Sequence, residues 1–116
     1  IDVRVLNNKI YFGHDEPEYN IDINWINKYI SNCWFHTKNI ECLLFFSSYK
    51  LNINKKINYF WHDQDSYTLT SPGFIWAYPG KKGGEKCIAV LPEINKTSIE
   101  GFDGICSDFI TQYNFD

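Results

Sequence analysis

At 116 residues the chain has room for one core of ordinary size, and 44% apolar against 22% charged residues excludes an intrinsically disordered segment. A formal charge of −3, with Arg4 as the single arginine, excludes a nucleic-acid binder working through a basic face, because phosphate contacts need clustered Lys and Arg. No apolar run reaches the roughly 18 residues of a membrane span and no leader pattern opens the chain, so a soluble domain is expected.

Short apolar runs recur, each closed by polar residues. Val3, Arg4, Val5 and Leu6 stop at Asn7-Asn8, a pair that tolerates left-handed backbone and predicts a turn. Ile10, Tyr11 and Phe12 follow and end at Gly13-His14-Asp15-Glu16-Pro17. Ile23, Trp25, Ile26, Tyr29 and Ile30 sit mostly three or four apart, which predicts a short helix over 22–30 with Asp22 as its N-cap. Cys33 to His36 reads as a strand, and Asn39 caps a predicted helix over 40–48. Strands are expected at 57–61, 68–70, 74–78, 87–91 and 104–106, with Ser71-Pro72-Gly73 as a turn.

Strands alternating with helices point to βα units and a parallel sheet, and runs without clean alternation fit strands covered on both faces. The later connections are too short for crossover helices. The expected architecture is therefore α/β: a single domain over 1–116, forming a reduced, irregular TIM-type (β/α) barrel. Because Ile1 falls directly inside a strand, a further strand upstream is expected, and with it an incomplete barrel.

Cys33, Cys42, Cys87 and Cys106 include no C-x-x-C pair. Three of them lie in or open apolar runs, where reduced cysteine packs as a small hydrophobe, so free thiols and a cytoplasmic setting are expected over a disulfide scaffold. A zinc module from Cys33, His36 and Cys42 lacks the second short pair that such sites use.

The polar residues that end the strands carry the chemistry. His14-Asp15, His36-Thr37-Lys38 and His62-Asp63-Gln64-Asp65 each follow a strand, as do Glu93 and Ser107-Asp108, and in a parallel barrel such ends meet at one face. The run from Ile1 to Leu6 followed by Gly13-His14-Asp15-Glu16-Pro17 resembles the glycerophosphodiester phosphodiesterase family of TIM barrels. The blocks Trp34-Phe35-His36-Thr37-Lys38-Asn39, Phe60-Trp61-His62-Asp63-Gln64-Asp65, residues 70–80, Pro92-Glu93 and residues 104–108 are similar to a compact subgroup of that superfamily, in collinear order.

The resemblance implies metal-dependent hydrolysis of a small-molecule phosphodiester. It places the metal-binding aspartate on Asp2, the catalytic histidine, a general acid toward the leaving alkoxide, on His14, and a charge-offsetting catalytic lysine on Lys38. The family's second metal-binding glutamate corresponds to His36, and its His-Arg strand and first glutamate would precede Ile1. The implied cofactor is a divalent ion, magnesium or calcium, with zinc or manganese favoured if His36 ligates. Arg4, Lys38 and Trp76 are the expected substrate contacts.

Side chains alternate along a strand, so Asp2 and Arg4 share a face, as do Trp34, His36 and Lys38. A carboxylate, an imidazole and two cations then converge, which suits the charge that develops on phosphate oxygens during hydrolysis. Taken alone, Asp2 reads as a strand-edge charge and His14-Asp15 as a solvated turn. His36 stays open between a metal ligand and a hydrogen-bonded core residue, His62 reads as structural, and Lys81-Lys82-Gly83-Gly84 is a solvated loop. The aromatics Trp34, Trp61, Trp76 and Tyr78 suit stacking on a sugar or filling a core equally well. The competing function is a non-catalytic module that binds phosphorylated glycerol or sugar groups.

Overall fold

The computed structural model describes residues 1–48 and 56–114, in two units, Ile1–His62 and Asp63–Asp116. The first is built on a five-stranded sheet of order β3-β2-β1-β4-β5, formed by β1 (Asp2–Leu6), β2 (Lys9–Phe12), β3 (Tyr19–Ile21), β4 (Trp34–Thr37) and β5 (Asn58–Trp61). Asn7 and Asn8, both at positive φ (50° and 62°), close a two-residue hairpin that pairs Leu6 with Lys9 and Val5 with Ile10. β2 and β3 are also antiparallel, whereas β1, β4 and β5 run parallel.

Helices α1 (Ile23–Tyr29) and α2 (Ile40–Ser48) bury Ile26, Cys42 and Phe46 in one cluster with Val3, Val5, Ile10 and Phe35, so both cover the same face of the sheet. Asp22 caps α1 by accepting the Asn24 amide at 2.7 Å. Asn39 does more than cap α2. Its Oδ1 accepts the Cys42 amide at 3.1 Å and the Val5 amide at 3.2 Å, while its Nδ2 donates to the Val5 carbonyl at 2.9 Å. The helix start is thereby bolted to β1 just beyond the short stretch where β1 pairs with β4.

The second unit holds a four-stranded sheet of order β6-β7-β8-β9, from β6 (Tyr67–Leu69), β7 (Ile75–Ala77), β8 (Cys87–Val90) and β9 (Gly104–Cys106). β6 pairs antiparallel to β7, and β7, β8 and β9 are parallel. Its core is Ala77, Cys87, Ala89 and Phe102, and at Gly104 a Cβ would meet the tip of the Ile88 side chain, which would have to shift. A single turn of 3-10 helix, Ile110–Gln112, follows.

The expected TIM-type barrel is not formed. A (β/α) barrel needs parallel strands each followed by a helix, but the described residues contain two short α-helices and two mixed sheets, an α+β arrangement. The reason is local: the Asn7-Asn8 hairpin turns the chain straight back, so β2 fills the edge of β1 where a neighbouring barrel strand was expected. The four cysteines are free thiols, Cys42 and Cys87 buried, Cys33 and Cys106 half-buried. Among the described residues no helix is long and apolar enough to cross a membrane.

Candidate active site

With Val3 and Val5 turned to the helices, alternation puts Asp2 and Arg4 on the opposite face of β1. The parallel register sets Asp2 opposite His36, and His36 opposite Phe60. His36 Nδ1 lies 3.2 Å from Asp2 Oδ1, its Nε2 lies 3.1 Å from the His62 carbonyl oxygen, and its ring stacks on Phe60 with centroids 4.8 Å apart. Each ring nitrogen therefore lies within reach of an oxygen, and a metal on either nitrogen would displace one of these contacts. Cys42 lies in the core on the helix face of the sheet, away from His36, so the two cannot share a zinc ion.

Asp2 is half-buried, and burial alone would raise its pKa. The hydrogen bond from His36 and the positive charges of His36, Lys38 and His14 outweigh that effect and hold the carboxyl below its ordinary value of 3.8. Lys38 follows β4, where its amide donates to the Val3 carbonyl at 2.9 Å.

His14 reaches Asp2 from a different segment. After β2 the Gly13 amide donates to the Asp2 carbonyl at 3.2 Å, so the Gly13-His14 turn folds back onto the start of β1. A Cβ at Gly13 would collide with the Glu16 carbonyl oxygen, which is why glycine stands there. Arg4 pins the turn, donating from Nη2 to the His14 carbonyl at 2.7 Å and from Nε to the Gly13 carbonyl at 3.4 Å. His14 Nε2 then sits 3.9 Å from Asp2 Oδ2, and its Nδ1 lies 2.9 Å from Asp15 Oδ1. The His14 side chain is 73% exposed, open to a ligand.

Asp2, His14, His36 and Lys38 are thus brought together at one end of the first sheet. Arg4 is beside them but committed to backbone carbonyls, and Trp76 lies in the second unit, between Thr68 and Ile88 in the register of β7. Asp15, part of the His14-Asp15 pair that follows the second strand, joins the cluster, as does the His62 carbonyl, which residue type does not reveal.

Would these residues suit the divalent cation that the resemblance implies? Asp2 Oδ2 is the carboxylate oxygen not taken by His36, and one carboxylate plus substrate oxygens and water is a set that hydrated magnesium accepts. Asp2 is accordingly the residue that would hold such an ion. Zinc or manganese bound through His36 would take the place of its contact with Asp2 or with the His62 carbonyl.

The second unit has its own polar cluster. Glu93 accepts Ser107 Oγ at 3.0 Å on each carboxylate oxygen, the Asp108 amide at 3.3 Å and the Tyr113 hydroxyl at 3.2 Å. Burial raises the Glu93 pKa, but hydrogen bonds from its own amide, Ser107, Asp108 and Tyr113 prevail and lower it. Such a saturated carboxylate ties down a chain segment and offers nothing to a substrate.

Compared with known proteins, the chain matches no family model, no curated protein and no solved structure.

Proposed function

We propose that the first unit binds and hydrolyses a small phosphodiester of the glycerophosphodiester type. One observation carries the reading: a half-buried carboxylate, an exposed imidazole and a flanking lysine, from three separate segments, meet at one end of the sheet. In the reaction, water adds to phosphorus as the ester P–O bond breaks, and His14 Nε2 passes its proton to the departing oxygen. The water yields its extra proton to solvent, from which His14 is recharged, so only water is consumed. Lys38 offsets charge on the phosphate oxygens, and Arg4 keeps the His14 turn in place. A divalent ion on Asp2 would supply further stabilisation of phosphate charge.

A second reading is a module that binds phosphorylated glycerol or sugar groups without turnover, favoured by the engagement of Asp15, one of the two carboxylates at the cluster, with His14 and the commitment of Arg4 to backbone. The free thiols support a reducing, cytoplasmic setting for either. Incubation with glycerophosphodiesters and a nitrophenyl phosphodiester, with and without magnesium or calcium, separates the two. Turnover that disappears in His14→Ala supports the hydrolase. Saturable binding with no turnover under any metal supports the module, and neither binding nor turnover overturns both.

A further inference from the structure

The contact between His14 and Asp15 carries a consequence for which nitrogen of the imidazole does the work. An ionised carboxylate is an acceptor only, so at 2.9 Å Asp15 Oδ1 takes the hydrogen of His14 Nδ1. The other nitrogen, Nε2, is the one turned toward Asp2, 3.9 Å from its Oδ2. We propose that Asp15 is a positioning residue for His14: it holds the hydrogen on Nδ1 and leaves Nε2 as the nitrogen that exchanges protons with a ligand at Asp2.

The inference rests on the hydrolase reading for its kinetic consequence but not for its structural one. A histidine side chain free in water favours the opposite tautomer, with hydrogen on Nε2, so a dominant Nδ1–H form needs a cause. Two other contacts fix the same geometry from the backbone side: Arg4 on the His14 carbonyl at 2.7 Å and the Gly13 amide on the Asp2 carbonyl at 3.2 Å. With the main chain held by Arg4 and the ring held by Asp15, the imidazole has one orientation instead of several. In histidine–carboxylate pairs of this kind the carboxylate fixes the tautomer and steadies the charged ring without itself becoming protonated. A general acid that returns to the same tautomer after each proton transfer can repeat its task at the same nitrogen.

The test uses the whole chain labelled with ¹⁵N at histidine. The neutral His14 ring is expected in the Nδ1–H form, shifting toward Nε2–H in Asp15→Asn and returning in Asp15→Glu. Asp15 is 89% exposed on its turn, so these variants are expected to fold like the parent. In turnover, Asp15→Asn should lower kcat by about 10- to 100-fold, the usual range for losing an orienting partner, with KM nearly unchanged. On a nitrophenyl phosphodiester, whose leaving group needs no proton, that loss should vanish. A parent His14 found mainly as Nε2–H, or a tautomer indifferent to Asp15→Asn, overturns the proposal. A parent that hydrolyses no phosphodiester but shows the Asp15-dependent tautomer sinks the hydrolase reading and leaves the positioning role standing.

Discussion

Arg4 Nη2 donates to the His14 carbonyl at 2.7 Å, so the one guanidinium of the chain holds the Gly13-His14 turn against β1. It gives Arg4 a positioning part beside the substrate contact expected of it, and kinetics tell the two apart. A ligand-binding arginine shows its loss in KM, whereas one that places the proton donor shows it in kcat. Arg4→Ala is expected to lower kcat by roughly 10- to 100-fold, because a shift of about 1 Å in a catalytic group is enough for that, while KM barely moves. A rise in KM with kcat unchanged would return Arg4 to the substrate.

Under the proposed hydrolysis, His14 and Asp2 have separable duties. His14→Ala should cost roughly 10²- to 10⁴-fold in kcat on a glycerophosphodiester, the range for losing a general acid. A nitrophenyl substrate should recover most of it, since its leaving group departs as an anion. Asp2→Ala should not be recovered, because the anion beside His36 and Lys38 is then gone whatever the leaving group. Equal rescue of both variants would show that Asp2 acts only by orienting His14.

Much of the local structure is legible in the residues. Asn7-Asn8 announces its hairpin, and Asp22 and Asn39 announce the starts of α1 and α2, because turns and caps depend on single side chains near their own backbone. Strand direction is a different matter: an apolar run such as residues 57–61 looks alike whether its neighbour is parallel or antiparallel, so alternating elements suggested a barrel that the two mixed sheets do not form. β3 escaped notice because Tyr19-Asn20-Ile21 is short and largely exposed. In the site, His14, His36 and Lys38 stand out because they lie at or just past the ends of strands, whereas Asp2, which opens β1, is picked out only by the family resemblance. The duties of Arg4 and Asp15 do not stand out, since they depend on which acceptor each side chain meets across a fold.

Asn39 should matter more to stability than an ordinary cap. Losing the cap to α2 costs about 1 kcal/mol, and Asn39→Ala also strips the partners from the Val5 amide and carbonyl, each worth about 1–3 kcal/mol when left unsatisfied away from water. Both bonds at Val5 are only part-buried, so water recovers some of this and the combined loss is expected at roughly 2–4 kcal/mol. Urea unfolding of the two proteins checks it; a loss of about 1 kcal/mol or less would mean water replaces the side chain at Val5.

Cys42 is fully buried in the cluster with Val3 and Phe35, and burial pushes its thiol up to about 12, against a smaller lowering effect from Arg4. The thiolate is the reactive form. Iodoacetamide at mild alkaline pH should therefore modify Cys42 only after denaturation, while the half-buried Cys33 and Cys106 react in the folded protein. Native labelling of Cys42 at the same rate as Cys33 would contradict its placement.

The Glu93 cluster sets a pH window for the end of the second unit. The Glu93 pKa is lowered in the folded chain, so its contribution to stability is fully present above its ordinary value of 4.5 and is lost as pH falls through the lower folded value. Tyr113 moves the other way: burial first, then the Glu93 charge and their hydrogen bond, raise it above 10.0, so that contribution is present below 10.0 and is lost as pH rises through the higher folded value. Between these limits the carboxylate holds Ser107, the Asp108 amide and Tyr113 together. Hydrogen exchange at the Asp108 amide should thus be slowest relative to its intrinsic rate between the two limits, and faster on either side. In Glu93→Gln the acid limb should disappear, because the amide has no charge to lose, while in Tyr113→Phe the alkaline limb should disappear and the acid limb remain. An acid limb unchanged in Glu93→Gln would assign it to another carboxylate and remove Glu93 as the group that ties this segment down.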